Sequence, residues 1–309
     1  AGFGAAPRGL KEKHTMNFET ITAPAFGPGG NGEWFYTEGK KSTLQAPDWL
    51  KEKGLDAFEY EAGNGIAAGE ASLSAVGEKA RAAGILMSLH TPYFISLSGT
   101  DPEKRLKSLE YIRKSLWAAG LLGADTIVIH SGSAAKIPRE EAMRLSLDTL
   151  EKVAADVGDS PCARLGIETM GKINQLGTLD EVIEQCRVSP IFTPVVDFGH
   201  LNARGLGGVF PDCDSYRRVF DTIATQLGDR HAKYLHCHFS KIEYTKAGEK
   251  RHLTFADDAF GPLFEPLAEA IVREKVCPRI ICESAGTQAE DALFMKRTYL
   301  DARKDATDQ

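Results

Sequence analysis

Short apolar runs, rich in β-branched residues, alternate along this chain with longer amphipathic stretches. That alternation predicts successive parallel strands with helices between them. Strands are expected near residues 17–24, 55–60, 85–90, 125–130, 163–168, 191–197, 233–238 and 278–283. The stretches between them carry helix punctuation. Asp101-Pro102 offers an N-cap followed by proline at the first helical position. Leu106, Leu109, Ile112 and Leu116 follow at helical spacing, and Gly123 stands where a C-terminal glycine belongs. Pro47 starts a short helix that Gly54 stops, and Leu73, Val76 and Ala80 mark another that ends at Gly84. Thr178 with Glu181, and Thr287 with Glu290, each match a capping box. Eight such units predict one α/β domain over residues 16–309, a single (β/α)8 barrel, because no linker, low-complexity segment or long charge run divides the chain. Residues 1–15 read as a disordered tail before Met16, so His14 is left out of the fold.

Six of the apolar runs end in a residue able to bind a metal. They are ILMSLH at His90, DTIVIH at His130, ARLGIE at Glu168, FTPVVD at Asp197, AKYLHCH with His236 and His238, and PRIICE at Glu283. In a (β/α)8 barrel the C-terminal ends of the strands meet around one mouth. Side chains up to about 200 residues apart in sequence would then converge. A single strand-end histidine is commonly a hydrogen-bonded structural residue. Six such ends on one side of a barrel are a site, because unpaired buried charges are costly.

Composition narrows the class without changing this picture. The chain has 309 residues, 42% hydrophobic and 26% charged, with a net charge of −6. A barrel of this kind typically takes roughly 250 residues. No apolar run approaches the ~20 residues that span a bilayer, and residues 1–15 lack the apolar core of a secretory signal. The six cysteines are scattered with no CxxC pair. They read as reduced thiols in a cytoplasmic protein. A mildly acidic chain does not favour nucleic acid, although a local basic groove is compatible with it.

The loops after the strands, such as TPYFISLSG, TMGKINQLG and FGHLNARGLGG, are rich in Gly, Ser, Asn and Thr, which predicts flexible turns with hydrogen-bond donors near the metals. DFGH puts Asp197 and His200 three residues apart at a strand end, where one turn aims both into a cavity. His236 and His238, two apart, share a face of their strand, and either could be the inward one. The stretch FSKIEYTKAGEKRH carries Lys241, Lys246, Lys250 and Arg251. It suits a phosphate-bearing substrate, with Lys241 and Asn202 as candidate phosphate contacts.

Imidazoles mixed with carboxylates, without thiolates, suit Zn, Mn or Fe. His90, His130, Glu168, Asp197, His200, His236 and Glu283 exceed what one ion needs, so two or three divalent ions are expected. Clustered divalent metals serve phosphoester hydrolysis by in-line displacement.

The segments SLHTPYFISLSG, VIHSGS, IETMGKINQLGT, VVDFGHLNARG, LHCHFSK and ICES resemble, in this order, the endonuclease IV family within the xylose-isomerase-like TIM barrels. The resemblance covers roughly residues 85–285. It implies a trinuclear zinc enzyme that cleaves DNA 5′ to abasic sites by a metal-bridged hydroxide, leaving a 3′-hydroxyl and a 5′-deoxyribose phosphate. It implies that His90 and His130 hold the first metal and that Glu168 bridges it to the second. Asp197, His236 and Glu283 would complete the second, His200 would start the third, and Tyr93 would sit beside the phosphate. Glu168, Glu283 and Tyr93 are thus the catalytic candidates, and a monomer is expected. The chain departs from the family in three ways. Glu249-Lys250-Arg251-His252 stands where the family has an Asp-x-His pair, so Glu249 and His252 could replace it only with shifted spacing. His238 is an extra imidazole, and the first strand lacks the usual glycine-alanine-histidine opening.

The rival reading is a sugar isomerase or epimerase with one metal held by Glu168, Asp197, His236 and Glu283. The histidines at strands three and four are surplus to that chemistry. A non-catalytic metal barrel is the third reading, disfavoured by the open glycine-rich mouth.

Overall fold

The computed structural model describes residues 21–159 and 161–307. Its strands are β1 (Ala25–Pro28), β2 (Ala57–Glu61), β3 (Leu86–His90), β4 (Ala124–His130), β5 (Arg164–Glu168), β6 (Phe192–Asp197), β7 (His236–Phe239), β8 (Ile242–Thr245), β9 (Gly248–His252) and β10 (Arg279–Cys282). Eight of them pair in parallel in the order β1-β10-β7-β6-β5-β4-β3-β2. The ring closes where Gly29 bridges Glu59 in parallel and Asp56 N donates to Phe26 O at 2.8 Å. Closure needs a glycine, because a Cβ on Gly27 would stand 1.8 Å from Ala57 O. The result is a (β/α)8 barrel of the TIM kind, with helices between its strands.

The punctuation expected from sequence works largely as the physics requires. Asp101 accepts from Glu103 N, Pro102 opens the helix Pro102–Leu122, and Gly123 ends it at φ +69°. Gly84 closes Glu70–Ala83 at φ +74°, and Thr178 with Glu181 forms a complete capping box. In Pro102–Leu122, Leu109 and Ile112 are buried. Leu106 is exposed and Leu116 half-buried, so the apolar stripe is narrower than its spacing suggested. At Gln288–Thr307, Thr287 donates its hydroxyl to the Asp291 carboxylate at 2.8 Å in place of the expected box with Glu290. The main core fills the layer between strands and helices, with Leu50, Ile112, Leu150, Val182, Phe220, Ile271 and Met295 all buried.

Two expectations shift. The first strand is Ala25–Pro28, downstream of 17–24. Residues 21–24 form no strand, and 17–20, like the tail 1–15 and His14, lie outside the described residues. The stretch after β7, read as a basic loop, folds as the antiparallel hairpin β8–β9. No helix among the described residues is long and apolar enough to cross a membrane.

Candidate metal centre

Side chains alternate along a strand, so residues two apart share a face. The last inward positions of the barrel strands therefore form one layer at the mouth. Among the described residues five groups of ligand atoms converge, each within 4.8 Å, and three of them combine histidines with carboxylates at the mouth: His90, His130 and Glu168; Glu168, Asp197, His238 and Glu283; and His200, Glu249 and His252. Glu168 belongs to two of them. Its Oε2 lies 3.5 Å from Nε2 of both His90 and His130, and its Oε1 lies 3.0 Å from His238 Nδ1.

The protein holds these side chains in place from behind. His90 Nδ1 lies 3.0 Å from Thr91 O, which leaves Nε2 facing Glu168. Asp197 caps the helix Phe198–Arg204, its Oδ1 accepting from His200 N at 2.7 Å. The three-residue spacing of DFGH is thus the spacing of an N-cap and its third helical residue. His200 Nδ1 sits 3.0 Å from Thr169 O, and the Thr169 hydroxyl accepts from Asp197 N at 2.9 Å, tying β5 to β6. Arg204 donates to the carbonyls of Met170, Lys172 and Gln175. The glycine-rich loop after β5, expected to be flexible, is therefore braced.

Charge is unbalanced in this layer. Burial would raise the Glu168 carboxyl, but His238, His200 and His90 outweigh it and hold it well below its ordinary value. Burial, followed by Glu168 and Asp197 against the opposing His238, pushes Glu283 up to about 8. Burial pulls His90 down, yet Glu168 and Glu61 lift it to about 10. His238 and His200 are likewise raised by carboxylates against their burial, whereas burial holds His130 down. Glu168 Oε2 and Asp197 Oδ2 are buried with no hydrogen-bond partner. Convergent carboxylates and imidazoles with orphaned oxygens are the donor set of a divalent cation.

The shifted spacing of the third group has a local cause. In the hairpin, Ile242 pairs with His252 and Glu243 with Arg251, but Tyr244 pairs with Glu249. Lys250 is left over as a β-bulge. Without a bulge, residues three apart point to opposite faces; one extra residue restores the same face. Glu249 and His252 therefore both turn toward His200, with Glu249 Oε2 3.4 Å from His200 Nε2. Ser240 Oγ lies 2.8 Å from His252 Nδ1. Gly171 permits the docking, since a Cβ there would stand 2.6 Å from Glu249 Cβ and 3.0 Å from His200 Cδ2.

Four sequence expectations are corrected by these positions. His236 does not join Glu168, Asp197 and Glu283. His238 does, because His236 lies one inward step, about 6.6 Å, nearer the barrel base, where its Nε2 sits 3.0 Å from Glu59 Oε2 and where it joins Glu59 and His238 in a separate group able to hold a metal. Lys241 is buried and donates to the carbonyls of Phe255, at 2.8 Å, and Asp257, so it is not available to a phosphate. Asn202 is buried and accepts from Val209 N at 3.2 Å, bracing its own loop. The basic stretch is largely neutralised within itself, since Lys250 and Arg251 both pair with Glu243. Tyr93 stands at the mouth, 61% exposed, with its ring 5.5 Å from those of His90 and His130. Partial desolvation at the rim, then Glu61 and Glu283, push its hydroxyl up to about 12, so it remains a donor.

Sequence reasoning missed Glu59 and Glu61. Glu59 is fully buried, 2.8 Å from His238 Nε2, and both glutamates approach Glu283 within 4.8 Å. Their signal was present: AFEYE places two glutamates two apart inside an apolar run, the inward spacing of a strand.

Residues 47–298 match the family described as the xylose isomerase-like TIM barrel. The chain is 30% identical over 263 residues to the uncharacterized protein MJ0133 of Methanocaldococcus jannaschii, covering 82% of this chain and 90% of that one. It is 31% identical over 204 residues to a probable endonuclease 4 of Acholeplasma laidlawii, covering 62% and 65%. Endonuclease IV from Thermus thermophilus superposes with a TM-score of 0.65 at 20% identity, over 91% of this chain and 100% of that one. A D-tagatose 3-epimerase-like protein superposes with the same score of 0.65 at 17% identity, over 92% and 99%. Two chemistries thus share the fold equally, and the side chains at the mouth must decide between them. With its family model spanning most of the barrel, the chain belongs to the xylose isomerase-like TIM barrels.

Proposed function

We propose that this protein is a metal-dependent phosphodiester hydrolase of the endonuclease IV kind, holding three divalent cations, zinc foremost, and cutting DNA 5′ to abasic sites. The observation that carries this reading is the trio of ligand groups at one mouth, two of them joined through Glu168. Clustered divalent cations supply Lewis acidity, acidified water and charge neutralisation to an in-line displacement at phosphorus.

The protein's own side chains do the rest. Glu168 fixes the spacing between the first two groups. His90 and His130 shape the wall on which Tyr93 leans, and the protonated Tyr93 hydroxyl suits a phosphate oxygen as hydrogen-bond donor. Phe94 stands exposed beside it at the rim, and the two rings offer faces on which unstacked bases pack. Six free cysteines fit a reducing cytoplasm.

The experiment is cleavage of a duplex oligonucleotide bearing one abasic site, by zinc- or manganese-loaded protein against a chelated control. Metal-dependent incision 5′ to the site, absent from intact duplex, is the expected result. A second reading, a sugar epimerase, is favoured by one observation. The Glu168–Asp197–His238–Glu283 group is by itself a complete one-metal set of Glu, Asp, His and Glu. Metal-dependent epimerisation of a ketose with no incision would select it.

A further inference from the structure

We propose that Arg204 is a positioning residue for the third cation: by gathering the backbone that flanks Gly171, it seats the β8–β9 hairpin so that Glu249 and His252 meet His200. This inference rests on that group being an ion site.

The third group is held differently from the other two. The first two stand at the ends of barrel strands, in one continuous ladder, whereas Glu249 and His252 lie on a two-stranded hairpin outside that sheet. Near Glu249 the hairpin docks on the segment that follows β5. Gly171 O accepts from Glu249 N at 3.0 Å, and Ile173 N donates to Ala247 O at 3.0 Å. Lys172 bridges Gly248 between them in antiparallel fashion. The approach is close, since a Cβ on Gly248, at φ +86°, would stand 2.3 Å from Gly171 O. Glu249 therefore sits where Gly171 puts it.

Arg204 fixes Gly171 from the other side. It ends the helix Phe198–Arg204, which carries His200 one turn earlier. Its Nη1 donates to Met170 O at 3.0 Å and Lys172 O at 2.7 Å, the carbonyls on either side of Gly171. Its Nη2 donates to Gln175 O at 2.7 Å and Ile173 O at 3.3 Å. A guanidinium presents its donors in a rigid planar fork, so four carbonyls gathered on one side chain set the path of the segment. One short helix thus supplies a ligand and, four residues on, the clamp for the segment that docks the other two. Arg139 also holds this loop, but at Ile173 O and Gln175 O, past Gly171, and it pairs with Glu181.

The test uses the full-length chain and zinc alone. Arg204→Met keeps the aliphatic stem and removes every donor. In a competition titration it is expected to bind one zinc about 10- to 100-fold more weakly than wild type, the loss typical of removing a group that orients metal ligands. The weakened ion should be the one that Glu249→Gln and His252→Gln also weaken, with the other two near wild-type affinity. In the chelated variant the amides of Glu249 and Ile173 should exchange with solvent faster than in wild type, while that of Ile167, within β5, exchanges as before. Arg204→Lys can still reach the carbonyls flanking Gly171 and is expected to recover part of the loss. Arg139→Met is expected to keep the third ion near wild-type affinity; an equal loss there would make loop order in general the cause and overturn the proposal. Wild-type affinity for every ion in Arg204→Met, or a uniform loss of all three, would overturn it while leaving the metal centre standing. If no zinc in wild type depends on Glu249 and His252, the three-ion reading fails, and this inference with it.

Discussion

The two ends of the barrel handle buried charge in opposite ways. At the base, Asp125 near the start of β4 meets Arg279 at the start of β10, and the guanidinium forks onto both carboxylate oxygens at 2.8 and 2.5 Å. The pair neutralises itself, and Arg279 also donates to Met87 O. At the mouth, Glu168, Asp197 and Glu283 crowd around His238, and buried oxygens of Glu168 and Asp197 find no donor. The backbone is the same and burial is similar, so what differs is whether the protein supplies the balancing charge. A base whose charges pair within the protein calls for no cation, and breaking such a pair is costly. A mouth whose carboxylates lack donors is suited to hold a cation.

Substitutions at the two ends should separate these roles. The largest effect is expected from Glu168→Gln, which removes the carboxylate shared by two ligand groups. Incision should fall by at least about 10³-fold, since metal-borne stabilisation is worth several kcal/mol, while the chelated protein melts near the wild-type temperature. Turnover like wild type would remove Glu168 from the mechanism. At the other end, Asp125→Ala leaves a buried guanidinium alone, at a cost on the order of 3 kcal/mol. Calorimetry should show a lower melting temperature with the zinc count unchanged; lost zinc would mean that the two ends are not separable.

The pH dependence sharpens the contrast. In the ion-free protein Glu283 titrates at about 8 and His90 at about 10, and His200 and His238 are also raised. The folded state thus keeps protons that the unfolded chain releases at ordinary values near 4.5 and 6.5. The stability these protons contribute is present below those values and is lost as pH rises through the folded ones. Between about pH 6.5 and 8 these raised groups act in the same direction, so the chelated protein should melt at lower temperature as pH rises. A cation must displace these protons, so zinc affinity should strengthen over that window by about tenfold per pH unit for each proton released. Parallel melting and zinc titrations check both signs, and flat profiles would contradict the charge assignment. The smallest effect is expected from deleting Lys250. Without the bulge residue, Glu249 and His252 stand two apart on a regular strand, still on one face. The third ion should be retained, and its loss would refute the bulge explanation.

Much of this was legible in the sequence because barrel geometry converts strand ends into a site. His90, His130, Glu168, Asp197 and Glu283 each close an apolar run and meet at the mouth. The capping chemistry of Asp197 also made the offset to His200 readable. The choice of His238 over His236 was not readable, since both face inward and only strand register sets their height. The hairpin bulge depends on pairing between β8 and β9 that the local sequence does not announce. Lys241 and Asn202 were misjudged because composition reports a side chain's chemistry but not its commitments. Both are committed to backbone groups nearby in the fold. Glu59 escaped because a glutamate in mid-strand looks like a solvent-facing residue until the fold places His238 across the barrel from it.

The central claim is that the mouth is a polynuclear cation centre built around Glu168. Elemental analysis of protein loaded with zinc and dialysed free of excess tests it most directly. Three zinc ions per chain, falling in Glu168→Gln, is the predicted result. A single ion per chain, unaffected by loss of His90 and His130, would contradict the account.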